Sequence, residues 1–275
     1  TERTLVVAIS QSGETMDTLM ATRFAKEQGA KVLAICNTQG ATLARESDAV
    51  IYTHAGPEVA VASTKALTAQ ITAGFLLGLY LAQVKERTDK KTLQALGKEL
   101  LKMPARVAKV VDAAKLPMNL GQDMANARSV LFLGRHVGFP VAMEGALKLK
   151  ELAYIHAEGF AAGELKHGPI ALIEEGQPVI VIVPSPRDAD SLHPKVISNI
   201  QEVRARGAKV IAIAEQGDDQ VGQYAEHVIF VPKAESMFAA ILQVIPLQYF
   251  ALALSTAKGL DVDQPRNLAK SVTVE

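Results

Sequence analysis

The segment Leu5–Ser10, LVVAIS, is a continuous apolar run of strand length, and the interpretation of the whole chain starts from it. A polar loop and a helical stretch, Met16–Gln28, follow this run. Gly29 ends the helix, and the apolar segment Ala30–Ile35 is a second strand. Strands that are wholly apolar, rather than alternating, are typical of a parallel sheet covered by helices on both faces. The segment therefore predicts a strand–helix–strand unit of an α/β fold.

The same pattern occurs a second time. Val179–Val183, VIVIV, runs into a polar loop and a helical stretch, Lys195–Arg206, which ends at Gly207. The apolar segment Ala208–Ile213 follows, and both copies place the tetrapeptide GAKV at the start of this last strand. Two such copies predict two similar α/β lobes.

The two copies differ in what precedes them. A further apolar strand, Val130–Gly134, and a long helix starting near Pro140 stand before the second copy, whereas nothing comparable stands before Leu5. We therefore expect a first lobe that is incomplete at its N-terminal side and has an unpaired sheet edge. The predicted fold class is α/β, with two doubly wound, flavodoxin-like parallel-sheet lobes in three αβα layers.

A charged stretch, Lys85–Lys115, separates the two copies. Its charged residues are interleaved with leucines, which predicts an amphipathic connector helix ending at Pro117. The predicted division is a first lobe with its connector over residues 1–115, and a second lobe with a C-terminal tail over residues 116–275.

Composition argues against several classes of partner and site. Lys plus Arg number 29, as do Asp plus Glu, so neither a nucleic-acid surface nor an anionic membrane surface is expected. The single cysteine, Cys36, cannot form a disulfide framework, which favours a reducing cytoplasm. None of the six histidines belongs to a motif such as HExxH, so no metal is predicted. The apolar stretch Ala66–Val84 contains Thr and Gln residues and indicates a buried or interface helix rather than a membrane span.

The loop Ser10–Thr15, SQSGET, is the first candidate site. It follows a predicted strand and opens a helix, where ligands bind in open α/β sheets and where free backbone N–H groups favour an anion. The loop lacks GxxxxGK and GxGxxG, which argues against nucleotide phosphates and leaves a simpler phosphate as the expected ligand. Ordinary helix capping by Ser12 or its neighbours is the alternative. The corresponding loop of the second copy, Pro184–Pro186, lacks these donors.

Three other segments are polar in an unusual place. The turn Val61–Lys65, VASTK, suits either sugar hydroxyls or helix capping. In the helical segment Met143–Tyr154, the charged residues Glu144, Lys148 and Glu151 lie along one face of the predicted helix and form a stripe. That stripe is either a surface salt-bridge ladder or a group for proton transfer between sugar carbons. The ending from Asp261 is either a solvated tail or a segment that places a lysine in a site.

Four motifs together resemble the isomerase part of the isomerising glutamine:fructose-6-phosphate aminotransferases. They are SQSGETMDT, EVAVASTKA, EGALKLKELAYIHAEGFAAGELKHGP and the ending DVDQPRNLAKSVTVE, and the resemblance extends from Leu5 to Glu275. It implies two sugar-isomerase (SIS) lobes, conversion of fructose 6-phosphate to glucosamine 6-phosphate, and no metal or organic cofactor. It also implies a homodimer and, in the full-length proteins, a glutaminase domain that supplies ammonia and that this chain lacks.

The resemblance also implies which residues bind the substrate. The positions that match those holding the sugar phosphate are Ser10, Gln11, Ser12 and Thr15. The positions that match contacts to the sugar are Val61, through its backbone, Ser63 and Ala269.

Four positions match residues that act in the reaction. Glu151 matches the carboxylate that moves a proton between carbons 1 and 2, and Lys148 matches a residue that assists this step. His167 matches the ring-opening acid/base, which the neighbouring subunit supplies in this family. Lys270 matches the lysine that forms a Schiff base with the open-chain ketose.

Two other functions fit parts of the pattern. A non-catalytic sugar-phosphate sensor would need the phosphate loop but neither Glu151 nor Lys270. A fructosamine-6-phosphate deglycase would share the fold and the loop, although the ending KSVTVE favours the synthase.

Overall fold

Strands and helices alternate along the first unit, as the first copy of the repeat predicts. The elements are β1 (Leu5–Ser10), α1 (Met16–Glu27), β2 (Lys31–Cys36), α2 (Thr42–Glu46), β3 (Ala49–Tyr52) and α3 (Lys65–Val84). The strands form a parallel sheet in the order β1-β2-β3. The carboxyl ends of all three strands therefore lie at one edge of the sheet, where the loops that could bind a ligand emerge.

One face of the first sheet is buried and the other is not. Ala8 and Val32 pack with Leu19 of α1 and Leu43 of α2, which places these two helices on one face. On the opposite face of β1 the side chains at positions 5, 7 and 9 are 39–53% exposed. Covering these exposed apolar side chains would lower the free energy of the protein in water.

The second unit contains a larger sheet. Its elements after α4 (Lys90–Leu100), which spans the division between the units, are α5 (Met103–Asp112), α6 (Lys115–Asp123), β4 (Ser129–Gly134), α7 (Gly138–Ala153), β5 (His156–Ala161), β6 (Pro178–Ile182), α8 (His193–Arg204), β7 (Lys209–Glu215), β8 (His227–Val231) and α9 (Ser236–Ala257). Three short 3₁₀ turns occupy Leu165–His167, Pro169–Leu172 and Val221–Gln223. All five strands are parallel, in the order β5-β4-β6-β7-β8.

Helices cover both faces of this second sheet. Val196 and Ile200 of α8 belong to a buried cluster with Leu131 of β4 and Val181 of β6. Helices α7 and α9 pack on each other and on the opposite face. The second unit is therefore a complete three-layer αβα fold, and the predicted α/β class is confirmed.

The repeat appears in the topology. Strand β6, helix α8 and strand β7 correspond to β1, α1 and β2, and each strand pair is parallel. In the second unit β4 lies on the other side of β6, with β5 beyond it. Within residues 1–188 and 191–270, which are those that this computed structural model describes, the first unit has no counterpart of β4, β5 and α7. The lack of counterparts to β4 and α7 in these residues is the difference expected from the sequence, whereas β5 itself was not predicted.

The division of the chain differs from the predicted boundary at residue 115. The first compact unit comprises residues 1–94 together with the segment from Asp263, and the second comprises 95–262. The hydrogen bonds that join the tail to the first unit include one from Val61 N–H to the Asp263 carbonyl at 3.0 Å and one from Lys270 Nζ to the Ala60 carbonyl. Residues 271–275 of the SVTVE ending lie outside the described part of the chain.

The connector is three helices rather than one, and the prediction that Pro117 ends it is wrong. Pro117 lies in the first turn of α6, where its missing N–H would have no intrahelical acceptor. Both α5 and α6 pack on α9 within the second unit.

Two helices, α3 and α9, are long and apolar enough to cross a membrane. Most of the apolar stretch of α9 is buried inside the second unit, as in the core helix of a globular protein. In α3 only Ala66 and Ala73 are buried. Of the two expectations for this helix, burial is therefore not found within the first unit, and the role of an interface helix stays a prediction. Length and hydropathy alone are weak indicators of a membrane span, since core helices share both.

We predict that Gly145→Val lowers the stability of the second unit. An ideal Cβ at Gly145 would lie 2.8 Å from both Phe132 Cε1 and Leu247 Cδ1, so a larger side chain must push α7 away from β4 and α9. Overpacking of this kind costs about 1–3 kcal/mol. The melting temperature in calorimetry should fall by about 2–4 °C for each kcal/mol.

The matched control is Gly97→Ala in α4, where an added Cβ meets nothing within 4 Å. This change should raise stability by up to about 1 kcal/mol, because alanine is the better helix former. Equal stability of the Gly145→Val variant and the wild type would show that the close packing of α7 is not required.

Candidate active site

The loop after β1 is held in a shape that only glycine allows. Gly13 has a φ of 70°, and an ideal Cβ there would lie 2.6 Å from Ala41 Cβ and 2.8 Å from Cys36 Sγ. Any side chain at position 13 would be strained and would also push the loop away from the end of β2. Cys36 is fully buried, and burial raises the pKa of its thiol, so it acts as an inert packing residue under the loop.

Two serine hydroxyls of this loop accept hydrogen bonds from its own backbone. Gly13 N–H donates to Ser10 Oγ at 2.9 Å, and Glu14 N–H donates to Ser12 Oγ at 3.2 Å. A hydroxyl that accepts in this way still carries its own hydrogen, which it can donate to an anion. The loop thus provides two oriented donors at the N-terminal end of α1, where the helix dipole also favours negative charge.

Helix capping does not account for the polar residues of the loop. Thr15 is the N-cap residue of α1, in an extended conformation, and its side chain makes no capping hydrogen bond. The Ser12 hydroxyl is bonded within the loop, to Glu14 N–H, rather than to the helix. The capping alternative is therefore not what the structure contains.

Two loop residues anchor this segment to its neighbours. The Gln11 carbonyl accepts hydrogen bonds from the N–H groups of Asn37 and Thr38, each at 3.3 Å, at the end of β2. Glu14 Oε1 accepts the Thr42 N–H at 2.8 Å, and this hydrogen bond lowers the pKa of the Glu14 carboxyl. The loop is thereby fixed to β2 and to the start of α2.

Asn37 connects this edge of the sheet to the second polar turn. Its Oδ1 accepts the Ala55 N–H at 2.9 Å, and its Nδ2 donates to the Gly56 carbonyl at 2.8 Å. The chain then leads through Glu58 into the turn that precedes α3. The loop and the turn are therefore fixed from the same β2 end.

The turn before α3 contains an unsatisfied hydroxyl. Ser63 Oγ is shielded from solvent and has no hydrogen-bond partner among the described residues. A buried polar atom of this kind normally has a partner, so a ligand hydroxyl is a natural one here. Neither Ser63 nor Thr64 caps α3 with its side chain; the Glu58 carboxylate accepts the helix N–H groups instead.

Lys270 lies against this turn. Its Nζ donates to the Ala60 carbonyl, and its side chain is partly buried, whereas the neighbouring Ala269 is exposed. The tail is therefore not a solvated extension, at least as far as Lys270. Val61, Ser63 and Lys270, which the sequence predicts as site residues, are brought together in the first unit.

The predicted stripe on α7 in the second unit is not a surface ladder. The Lys148 side chain is only 4% exposed, and its Nζ lies 2.6 Å from Glu151 Oε2 and 3.3 Å from Glu144 Oε1. Burial raises the pKa of Glu144, against the lowering effect of Lys148. Burying an ammonium between two carboxylates costs desolvation free energy, which a salt bridge on an exposed helix face does not. The cluster is therefore different in kind from a surface ladder.

His167 is separate from this cluster. It ends the first 3₁₀ turn and is exposed, and no hydrogen bond or ion pair joins it to Lys148 or Glu151 among the residues that the structure describes. Its predicted role, acid/base catalysis at the sugar of a neighbouring subunit, stays a prediction.

Two carboxylates that organise the first unit were not predicted from the sequence. Glu14 accepts the N–H of Thr42, which lies 28 residues away, and Glu58 accepts the N–H groups of Thr64 and Ala66, six and eight residues away. A capping box places the acidic residue three positions after the cap, inside the helix, so no local motif identifies either residue.

The chain is similar to curated proteins along its whole length and to a known domain family over most of it. The sequence profile of the SIS domain matches residues 1–79 and 123–258. A glutamine–fructose-6-phosphate aminotransferase (isomerizing) of Corynebacterium diphtheriae is 68% identical over 275 residues, and one of Streptomyces coelicolor is 60% identical over 274 residues. The chain spans less than half the length of these relatives, 44% and 45% respectively.

A solved structure agrees with these sequence matches. The C-terminal domain of glucosamine-fructose-6-phosphate aminotransferase from Francisella tularensis superposes with a TM-score of 0.88 at 38% identity. The superposition covers 95% of this chain and 73% of that one. With a shared fold and this degree of identity, the chain belongs to the SIS-domain family, in the branch of the isomerising glutamine–fructose-6-phosphate aminotransferases.

Proposed function

We propose that this chain is the isomerase part of an enzyme that converts fructose 6-phosphate to glucosamine 6-phosphate. Ammonia would come from a glutaminase domain outside this chain. The observation that carries the proposal is the arrangement of the first unit. Oriented Ser10 and Ser12 hydroxyls occupy one loop, and Lys270 is hydrogen-bonded to the Ala60 carbonyl, in the segment that also carries the unsatisfied Ser63 hydroxyl.

Each group has a defined step. The loop Ser10–Thr15 holds the phosphate, and His167 of a neighbouring subunit opens the sugar ring. Lys270 Nζ then attacks carbon 2, a carbon–nitrogen bond forms, and the ketone oxygen leaves as water. Ammonia displaces the lysine from carbon 2, so that the nitrogen stays on the sugar and Lys270 is regenerated.

The last step is a proton transfer. An imine at carbon 2 makes the hydrogens on carbon 1 more acidic, which lets a carboxylate remove one near neutral pH. Glu151 removes this proton from carbon 1 and returns it to carbon 2. The carbon-1 hydroxyl loses its proton and the imine nitrogen gains one, so that carbon 1 becomes an aldehyde and carbon 2 carries an amine. Lys148, buried between Glu144 and Glu151, lies 2.6 Å from Glu151 Oε2 and keeps that carboxylate oriented for the transfer.

We also infer a cytoplasmic homodimer. The single cysteine favours a reducing compartment, and an exposed His167 is available to the site of a second copy. A site completed by a partner's histidine would exist only in the dimer.

Lys270 provides the most direct test of the proposal. Sodium borohydride added to the complete protein that carries this chain, with fructose 6-phosphate present, should reduce the imine and attach the sugar to Lys270. Mass spectrometry of the peptides locates the adduct. Lys270→Arg should abolish it, whereas Lys258→Arg, at the exposed end of α9, should not. An adduct of equal yield in the Lys270→Arg variant would exclude the proposed chemistry.

Ser12→Ala tests the phosphate loop. A hydrogen bond to a charged group is worth about 1.5–3 kcal/mol, so its loss should raise KM for fructose 6-phosphate roughly ten- to a hundredfold. Inhibition by inorganic phosphate should weaken in parallel. Ser198→Ala, at an exposed position on α8, should leave both constants unchanged. A wild-type KM in the Ser12→Ala enzyme would show that the phosphate does not bind the Ser12 hydroxyl.

Glu151→Gln separates an enzyme from a sugar-phosphate sensor. Loss of the base should lower kcat about 10²–10⁴-fold while substrate binding, measured calorimetrically, changes little. The variant should still fold, because Glu144 remains as a counter-ion for buried Lys148. Glu226→Gln, at an exposed position before β8, is the control. A full kcat in Glu151→Gln would contradict the proposed role of this residue.

A further inference from the structure

We propose that Glu58 is a positioning residue for the covalent step, acting through the turn that holds Lys270. This inference rests on the proposed function. Glu58 accepts hydrogen bonds from the backbone of Thr64 and Ala66, and its effect on Lys270 would pass through the turn that these bonds fix.

The Glu58 carboxylate closes the turn onto the start of α3. Its Oε2 accepts the Ala66 N–H at 2.8 Å and the Thr64 N–H at 3.3 Å, and its Oε1 lies 3.4 Å from Thr64 Oγ1. These N–H groups belong to the first turn of α3 and have no acceptor within the helix. A carboxylate at this helix end also interacts favourably with the helix dipole.

The segment between Glu58 and Ala66 contains the backbone groups that bond Lys270 and the tail. Between Glu58 and Ala66, the Ala60 carbonyl accepts Lys270 Nζ, and Val61 N–H donates to the Asp263 carbonyl at 3.0 Å. Ser63 Oγ is the shielded hydroxyl without a partner among the described residues. Glu58 therefore fixes the turn that contains three groups. These are the Ala60 carbonyl that accepts Lys270 Nζ, the Val61 N–H that holds the tail, and the unsatisfied Ser63 hydroxyl.

The phosphate loop does not depend on this closure. It follows β1, and it is fixed by the Gln11 carbonyl to the end of β2 and by Glu14 to Thr42 of α2. Loss of Glu58 should therefore impair the covalent step far more than phosphate binding. Partial unfolding would impair both the covalent step and phosphate binding. The two measurements therefore distinguish a positioning role from simple destabilisation.

The experiment compares Glu58→Ala and Glu58→Gln with wild type in the complete protein. One readout is the initial rate of borohydride-trapped adduct at Lys270 at saturating fructose 6-phosphate, and the other is the inhibition constant of inorganic phosphate. Misplacement of a reacting group by about 1 Å can cost a factor of about a hundred. We expect Glu58→Ala to slow trapping about ten- to a hundredfold, with the phosphate constant within about twofold of wild type.

The two other variants sharpen the comparison. Glu58→Gln keeps one oxygen acceptor for the Ala66 N–H and should recover part of the trapping rate. Glu46→Gln, whose exposed carboxylate pairs with Arg23 in the same unit, should match wild type in both readouts.

Two results would overturn the inference. One is a Glu58→Ala enzyme that traps at the wild-type rate, and the other is a phosphate constant that weakens as much as the trapping rate falls. A wild-type protein that forms no adduct at Lys270 would instead refute the proposed function on which the inference rests.

Discussion

In both units the backbone amides of short, mostly apolar strands pair with parallel neighbours, and this pairing determines where the loops that follow the strands can lie. Parallel strands need a helix or a long loop to return to the start of the next strand, so their carboxyl ends collect at one edge. In the first unit that edge holds the loop after β1, Asn37 after β2 and the turn that leads to α3. The candidate site is thus a consequence of the sheet, and the polar residues at the edge decide its chemistry.

The polar groups of the two units differ in chemical kind. The first offers neutral donors, hydroxyls and amides, whose hydrogens are oriented by hydrogen bonds that the loop makes with itself. Such a site suits a phosphate without a large local excess of positive charge, in keeping with a chain of zero net charge. The second unit holds a buried ammonium between two carboxylates, whose attraction offsets part of the desolvation cost. Buried ionisable clusters of this kind occur often at functional sites, and the proposed function assigns proton transfer to Glu151.

The features that could be predicted from the sequence are those with a period or a long motif. Continuous apolar runs identify β1, β2, β6 and β7, and the repeated GAKV indicates the duplication. The stripe on α7 is also visible in the sequence, but whether it is a surface ladder depends on the burial of Lys148, which packing alone decides. The prediction for Pro117 is wrong because a proline is harmless in the first turn of a helix and disruptive only beyond it. Glu14 and Glu58 could not be found, since each bonds backbone groups that no local spacing connects to it.

A crystal structure of the complete protein with fructose 6-phosphate would test the central claim most directly. The account predicts the phosphate within hydrogen-bond distance of the Ser12 hydroxyl, and carbon 2 of the open-chain sugar within covalent reach of Lys270 Nζ. A sugar phosphate bound at the carboxyl edge of the second sheet, beside Arg135, or one whose carbon 2 lies far from Lys270, would contradict it.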